Sequence, residues 1–392
     1  MNLPEEGKES VMAKFLLLFL LIPLLAVYSC KKNDFESANE AQEAQDIVSI
    51  ENAATPQPPI VEMHFVEDFS FTRETWWPWS ILIDDTGNIY VFSGKERRLD
   101  RFDPQGDVSF IKEFPKGQAP GEFHGFDPEF SQDEKMFIVD GSQRRLTIYD
   151  PGFEIKDIAK LDLWGDIFRL DSRGNMYFLQ MKFLPNTTDR QRLVLTKCSP
   201  DGVPLHEIHG YEWGQRRDSS GIYHTDAYRT QIRYKIDSFD NVYYATSNKY
   251  EINVVTPEGT IIRRITKRGR SRVLTQTEVD SFRPKKPNSR FVTDIPENMP
   301  YIADLFVLDN DYLLVITFEN SGEEVSLIGD VFDEAGIYRA GVRVPKYYRW
   351  DFLLAPHKSG AVYKNGYFYT IESDLHEEDF WIKRYKVVMN SQ

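Results

Sequence analysis

The stretch Asp84–Val108, DDTGNIYVFSGKERRLDRFDPQGDV, recurs without a gap at Asp237–Ile261, DSFDNVYYATSNKYEINVVTPEGTI. Asp, Asn, Tyr, Pro and Gly stand at the same five places in both copies. Each copy reads as a turn, a strand, a hairpin loop, a second strand and a second turn, with Gly at positions that resist side chains. A repeat of this kind constrains architecture before any single residue is interpreted, because each unit must bury its apolar faces against its neighbours.

Weaker copies complete the set. Asp103-Pro104 returns as Asp150-Pro151, and Asp171–Tyr177 is followed by Pro200 and Gly202. Asp309–Tyr312 leads to Phe332–Gly336, and Lys364–Tyr369 leads to Trp381–Val387. Six units of about four strands predict an all-β chain, a six-bladed β-propeller with four-stranded antiparallel blades. Aromatic residues at 14% suit so many strands. The last unit lacks a fourth strand, and Ile60–Phe65 stands as an orphan strand ahead of the first. The two are complementary, so the N-terminal strand is expected to close the ring and remove its open edges.

The N-terminus carries an address. Phe15–Val27, FLLLFLLIPLLAV, is too short to span a membrane and has the size of a signal-peptide core, with Lys14 before it. Met12 suits the start better than Met1, because Glu5, Glu6 and Glu9 spoil a basic leader. The run ends in Ser29-Cys30, which resembles a bacterial lipobox, and the resemblance implies acylation of Cys30. Residues 1–29 are thus expected to be a lipoprotein signal peptide. Residues 30–59, rich in Asn, Glu, Ala, Gln and Ser, read as a flexible tether that adds little to stability, and 60–388 as the propeller. The net charge of -14 argues against nucleic acid as a partner.

Ile138–Asp150, IVDGSQRRLTIYD, resembles the NHL repeat, and Gly117–Phe123, GQAPGEF, resembles the linker of six-bladed propeller lipoproteins of diderm bacteria, with Ala119 where they usually have Gly. The resemblance covers roughly 60–388 and implies a lipid-anchored envelope protein. It also implies two functional classes. Some such propellers bind proteins or glycans, while a few are metal-dependent lactonases or lyases with carboxylate, Asn or His ligands on the inner strands of several blades.

Motifs for the second class are thin. His206-Glu207-Ile208-His209 has its histidines at i and i+3 on a predicted outer strand, where they are expected to point to opposite faces. Asp374–Asp379 reads as a solvated acidic tip without the Gly a calcium loop needs. Cys198 alternates with Thr196 and Val194 and reads as a core side chain. Trp76, Trp77 and Trp79 at the start of blade one read as packing between blades, with sugar stacking as the alternative.

The inner strands matter more, since they line the channel. They are expected near Trp79–Ile83, Phe126–Phe130, Gly165–Leu170, Thr230–Ile236, Ile302–Leu308 and Trp350–Leu354. Their polar residues Glu129, Asp166, Arg169, Gln231, Arg233, Asp304 and Asp351 are the candidate ligand contacts, or else a self-satisfied ion-pair network. Arg169 and Arg233 would oppose a cation and suit an anionic or hydroxyl-rich ligand. The expected protein is therefore a monomeric binding or scaffold module for a protein or glycan-like ligand, held to a membrane outside the cytoplasm, with no metal, no cofactor and no catalysis. The alternative is a metal-dependent propeller hydrolase or lyase with its site at the channel mouth.

Overall fold

The turn that opens each repeat is built by the aspartate that defines it. In blade one the N–H groups of Thr86 and Asn88 donate to Asp84 Oδ1 at 3.0 and 2.8 Å, and Asn88 Nδ2 donates to Asp84 Oδ2 at 2.8 Å. Asp171 with Asn175, and Asp237 with Asn241, repeat the pattern at 2.8–3.0 Å. The repeated Asp and Asn thus satisfy backbone donors in a reversal that has no ladder partners of its own. Gly87 and Gly174 take φ of 88° and 76° there, and Asp240 takes 67° in the place those glycines fill.

The structure is a computed structural model. It describes residues 47–391 apart from 73–76, 95, 125–126, 132, 162–164, 185–190, 214–215, 218–219, 227–229, 270, 283–290, 321–325, 348–359 and 375–378. Val48–Gln392 form one compact unit, and of the other unit, Met1–Ile47, only Ile47 is described. The expected signal peptide and Cys30 therefore lie outside the described residues.

Six antiparallel sheets follow one another along the chain. Blade one runs outward through Pro78–Ile83, Ile89–Ser93, Arg98–Phe102 and Val108–Glu113. Blade two has Asp127–Phe130, Met136–Asp140, Arg145–Tyr149 and Ile155–Lys160. Blade three has Gly165–Leu170, Met176–Phe183, Gln191–Cys198 and Pro204–Trp213. Blade four has Ile232–Ile236, Val242–Thr246, Glu251–Val255 and Ile261–Lys267. Blade five has Ile302–Val307, Leu313–Asn320, Ser326–Phe332 and Tyr338–Pro345. Blade six takes three strands from the end of the chain, Ala361–Lys364, Tyr367–Ser373 and Phe380–Ser391, and its outer strand, Val61–Thr72, from the beginning.

Six hydrophobic clusters occupy the six blade-to-blade interfaces. The one between blades six and one joins Tyr369, Phe380 and Ile382 to Ile81, Val91 and Phe102, so the sheets close into a ring, the expected six-bladed β-propeller. The second strand of blade one, Ile89–Ser93, is buried throughout, because both of its faces meet another blade. The outer strand Val108–Glu113 is mostly exposed and ends in Lys112 and Glu113, charges that help protect a free edge. Trp77 packs on Phe380 with ring centroids 5.4 Å apart, so this tryptophan joins blades one and six. Trp76 lies outside the described residues. Cys198 is buried in the core, and burial pushes its thiol up to about 12.

Four expectations need correction. The ring-closing strand is longer than Ile60–Phe65, pairing from Val61 opposite Ser391 to Thr72 opposite Trp381. The stretch read as a tether over 30–59 contains a strand, Val48–Asn52, which pairs parallel with Arg263–Lys267 as a fifth strand on blade four. The described inner strand of blade six is Ala361–Lys364, whereas Trp350–Leu354 lies outside the described residues.

Finally, His206 and His209 do not face opposite ways. A bulge leaves Ile208 unpaired between Leu195↔His209 and Thr196↔Glu207. One extra residue restores the parity that an odd spacing breaks, and both rings meet blade four. His209 stacks on Tyr244 at 4.8 Å, and His206 packs against Gly259, where a Cβ would come within 2.9 Å of the ring. Burial holds both imidazoles below the usual histidine range.

Candidate ligand channel

The inner strands surround a cavity of about 330 Å³, to which every blade contributes. Its mouth is formed by the ends of these strands and the turns that follow: Asp84-Asp85, Ser131, Asp171-Ser172, Asp237-Ser238 and Lys364. The Asp turn described above therefore positions the rim. Asp240 adds a clamp across it. Ser172 donates to the Asp240 carboxylate through its backbone N–H at 2.7 Å and its hydroxyl at 2.6 Å, which ties blade three to blade four.

Two of the seven sequence candidates line this cavity. Arg169 Nη1 lies 3.1 Å from Glu129 Oε2, joining blades two and three, and the side chains keep 25% and 17% of their surface in contact with solvent. Burial pushes the Glu129 carboxyl up, against the opposing pull of Arg169, the Phe130 N–H, Lys235 and Lys364. Desolvation thus outweighs pairing in this ring.

Three more lie on the channel strands outside the cavity lining. Asp304 accepts the Leu305 N–H at 2.9 Å and the Tyr347 hydroxyl at 3.2 Å. Burial lowers the affinity of the Arg233 guanidinium for its proton, and the charge of Asp304 opposes the shift. Gln231, immediately before the inner strand of blade four, is buried, and its backbone N–H donates to Ser247 Oγ at 3.0 Å. Asp166 stands on the inner strand of blade three, but its side chain lies outside the described residues, as does Asp351 altogether.

Sequence reasoning left Lys235 and the Lys364–Asp85 pair out of the site. Lys364 Nζ meets Asp85 Oδ1 at 2.6 Å across the rim between blades six and one. The Lys235 ammonium sits 4.8 Å from the centre of the Phe306 ring. The signal for Lys235 was present, since strict alternation puts it on the channel face with Arg233.

Among the described residues no group of three or more His, Cys, Asp or Glu side chains is arranged to hold a metal ion. His224, in the connection before blade four, is engaged away from the cavity. Its Nδ1 lies 3.0 Å from Asp294 Oδ1, in a three-stranded sheet of Arg216–Arg217, Tyr223–Asp226 and Phe291–Asp294 that the connections before blades four and five form together. His357 lies outside the described residues.

No family model and no curated protein matches the chain. Similar solved structures include a protein of Bacteroides fragilis assigned as exported, 14% identical with a TM-score of 0.47, the match covering 88% of this chain and 99% of that one. A member of the DUF4221 family from Bacteroides vulgatus is 10% identical with a TM-score of 0.49, covering 85% and 99%. Virginiamycin B lyase from Staphylococcus aureus is 11% identical with a TM-score of 0.42, covering 84% and 100%. The propeller assignment rests on the strand pairing and the six interfaces above.

Proposed function

We propose that the protein is a lipid-anchored propeller outside the cytoplasm that binds a glycan-like or protein ligand at its channel mouth and does not catalyse. The observation that carries the binding role is the cavity of about 330 Å³ that all six blades line, open between turns rich in carboxylates and hydroxyls. A volume at the lower end of small-ligand pockets suits a sugar or a single side chain of a larger partner. The NHL-like segment and the lipobox-like end support an envelope role. Among the described residues no helix is long and apolar enough to cross a membrane; in this reading attachment is through Cys30.

Two measurements test this. Ser238 is exposed at the rim, where a larger side chain narrows the mouth without entering a core. Ser238→Trp is expected to weaken binding to an array of envelope and plant glycans by about tenfold or more, which is ~1.4 kcal/mol, with an unchanged melting temperature. Glycan binding that survives the plug places the site elsewhere and defeats the channel reading. Separately, Cys30→Ala is expected to move the protein from the membrane to the soluble envelope fraction. Unchanged fractionation, or an N-terminus without acyl chains by mass spectrometry, rules out the anchor.

A further inference from the structure

Among the described residues three cations line the cavity, and they differ in how they are neutralised. Lys364 is paired with Asp85 and Arg169 with Glu129. Lys235 has neither an ion pair nor a hydrogen bond among the described residues, and its ammonium rests over the Phe306 ring. Glu129 and Asp304 act on it only at longer range, while Arg169 and Arg233 repel it. A cation flanked by two others, with no acceptor among the described residues, is an arrangement that costs stability.

We propose that Lys235 receives the single anionic group of a hydroxyl-rich ligand, an acidic sugar of the uronic acid type. The inference rests on the channel-binding reading and names the chemistry of its ligand. The depth of the cavity supplies one unneutralised positive charge. Beyond the Lys364–Asp85 pair, the rim has the opposite character: Glu134 and Asp240, with Ser131 and Ser238, are carboxylates and hydroxyls. Such a rim accepts hydrogen bonds from hydroxyl groups and repels a second negative charge. A polyphosphate or a strongly anionic chain is disfavoured, whereas one carboxylate on a neutral polyol satisfies both ends. Phe239, 68% exposed between the rim residues Ser238 and Asp240, offers an apolar face beside them.

Isothermal titration of the full-length protein with galacturonate, galactose and inorganic phosphate tests this. Galacturonate is expected to bind about tenfold or more tightly than galactose or phosphate. Lys235→Met should remove that preference, with a melting temperature equal to or above that of the parent, because an unneutralised charge has been removed. Lys235→Arg should retain it. Equal binding of galacturonate and galactose, both blocked by Ser238→Trp, overturns the assignment of Lys235 and leaves the channel reading standing. Phosphate binding as tightly as galacturonate overturns the acidic-sugar class. Absence of galacturonate binding at millimolar concentration overturns the proposal outright, and the glycan array then decides the channel reading by itself.

Discussion

Deleting residues 1–72 is expected to leave an insoluble or unfolded chain, whereas deleting 1–47 should leave the melting temperature unchanged. The strand Val61–Thr72 is the whole outer edge of blade six, and it carries Val61 and Met63 into the cluster between blades five and six. It also brings Phe71 within 4.4 Å of Phe102 in blade one. Each fully buried side chain of this size contributes about 1.5–3 kcal/mol. Their loss, with a bared strand edge, approaches the roughly 5–15 kcal/mol that holds a typical protein folded. Deleting 1–55 should fall between these two. Asn52 is buried; its amide donates to Gly336 O at 3.0 Å and Thr266 O at 3.1 Å, and its carbonyl oxygen accepts the Tyr338 N–H at 2.9 Å. Removing it strips one buried amide of its partner, worth about 1–3 kcal/mol, so this truncation is no longer expected to be silent. Scanning calorimetry ranks the three, and equal stability of the 1–47 and 1–72 truncations rules out the closure.

That ordering shows which features a sequence displays. Asp84 and Asn88, or Asp237 and Asn241, are legible because one side chain must satisfy several backbone donors at a tight reversal, and few residue types do so. The closing strand was legible because a propeller with an incomplete last blade needs one. Val48–Asn52 was not, because a fifth, peripheral strand buries little apolar surface and is held by backbone pairing and one asparagine. Ala361–Lys364 was missed because four residues carry no readable period, and the more apolar Trp350–Leu354 nearby drew the assignment. The bulge at Ile208 has no sequence signature, yet it changes which way His206 points. At the site, alternation along Ile232–Ile236 placed Arg233 and Lys235 on one face. What alternation does not contain is who neutralises whom. The Glu129–Arg169 pair spans 40 residues and two blades, and Lys235 stands out only because others are already paired.

The second large effect concerns the interface of blades four and five. Asp330, on the third strand of blade five, is buried, its side chain 3% exposed, and Lys267 of blade four reaches it at 2.7 Å with 12% of its own side chain exposed. The Tyr250 hydroxyl donates to the same carboxylate. The Lys267 ammonium lies 4.1 Å from the centre of the Tyr338 ring and 5.6 Å from that of Tyr250. Burial first, and then the charge of Asp330, push both phenols above the usual tyrosine range, so they remain donors at every ordinary pH. One carboxylate of blade five therefore satisfies an ammonium and a hydroxyl of blade four. Asp330→Ala leaves both without that acceptor and is expected to cost about 3–5 kcal/mol. Lys267→Met should be much milder, because the carboxylate keeps its Tyr250 donor and the methionine still packs on the two rings. The double variant should then be more stable than Asp330→Ala alone, since the stranded ammonium has gone with its partner. Denaturant unfolding of the four proteins measures this cycle. A loss below about 1 kcal/mol for Asp330→Ala, the range of an exposed pair, would show that water replaces the carboxylate and that the interface is held by its apolar cluster alone.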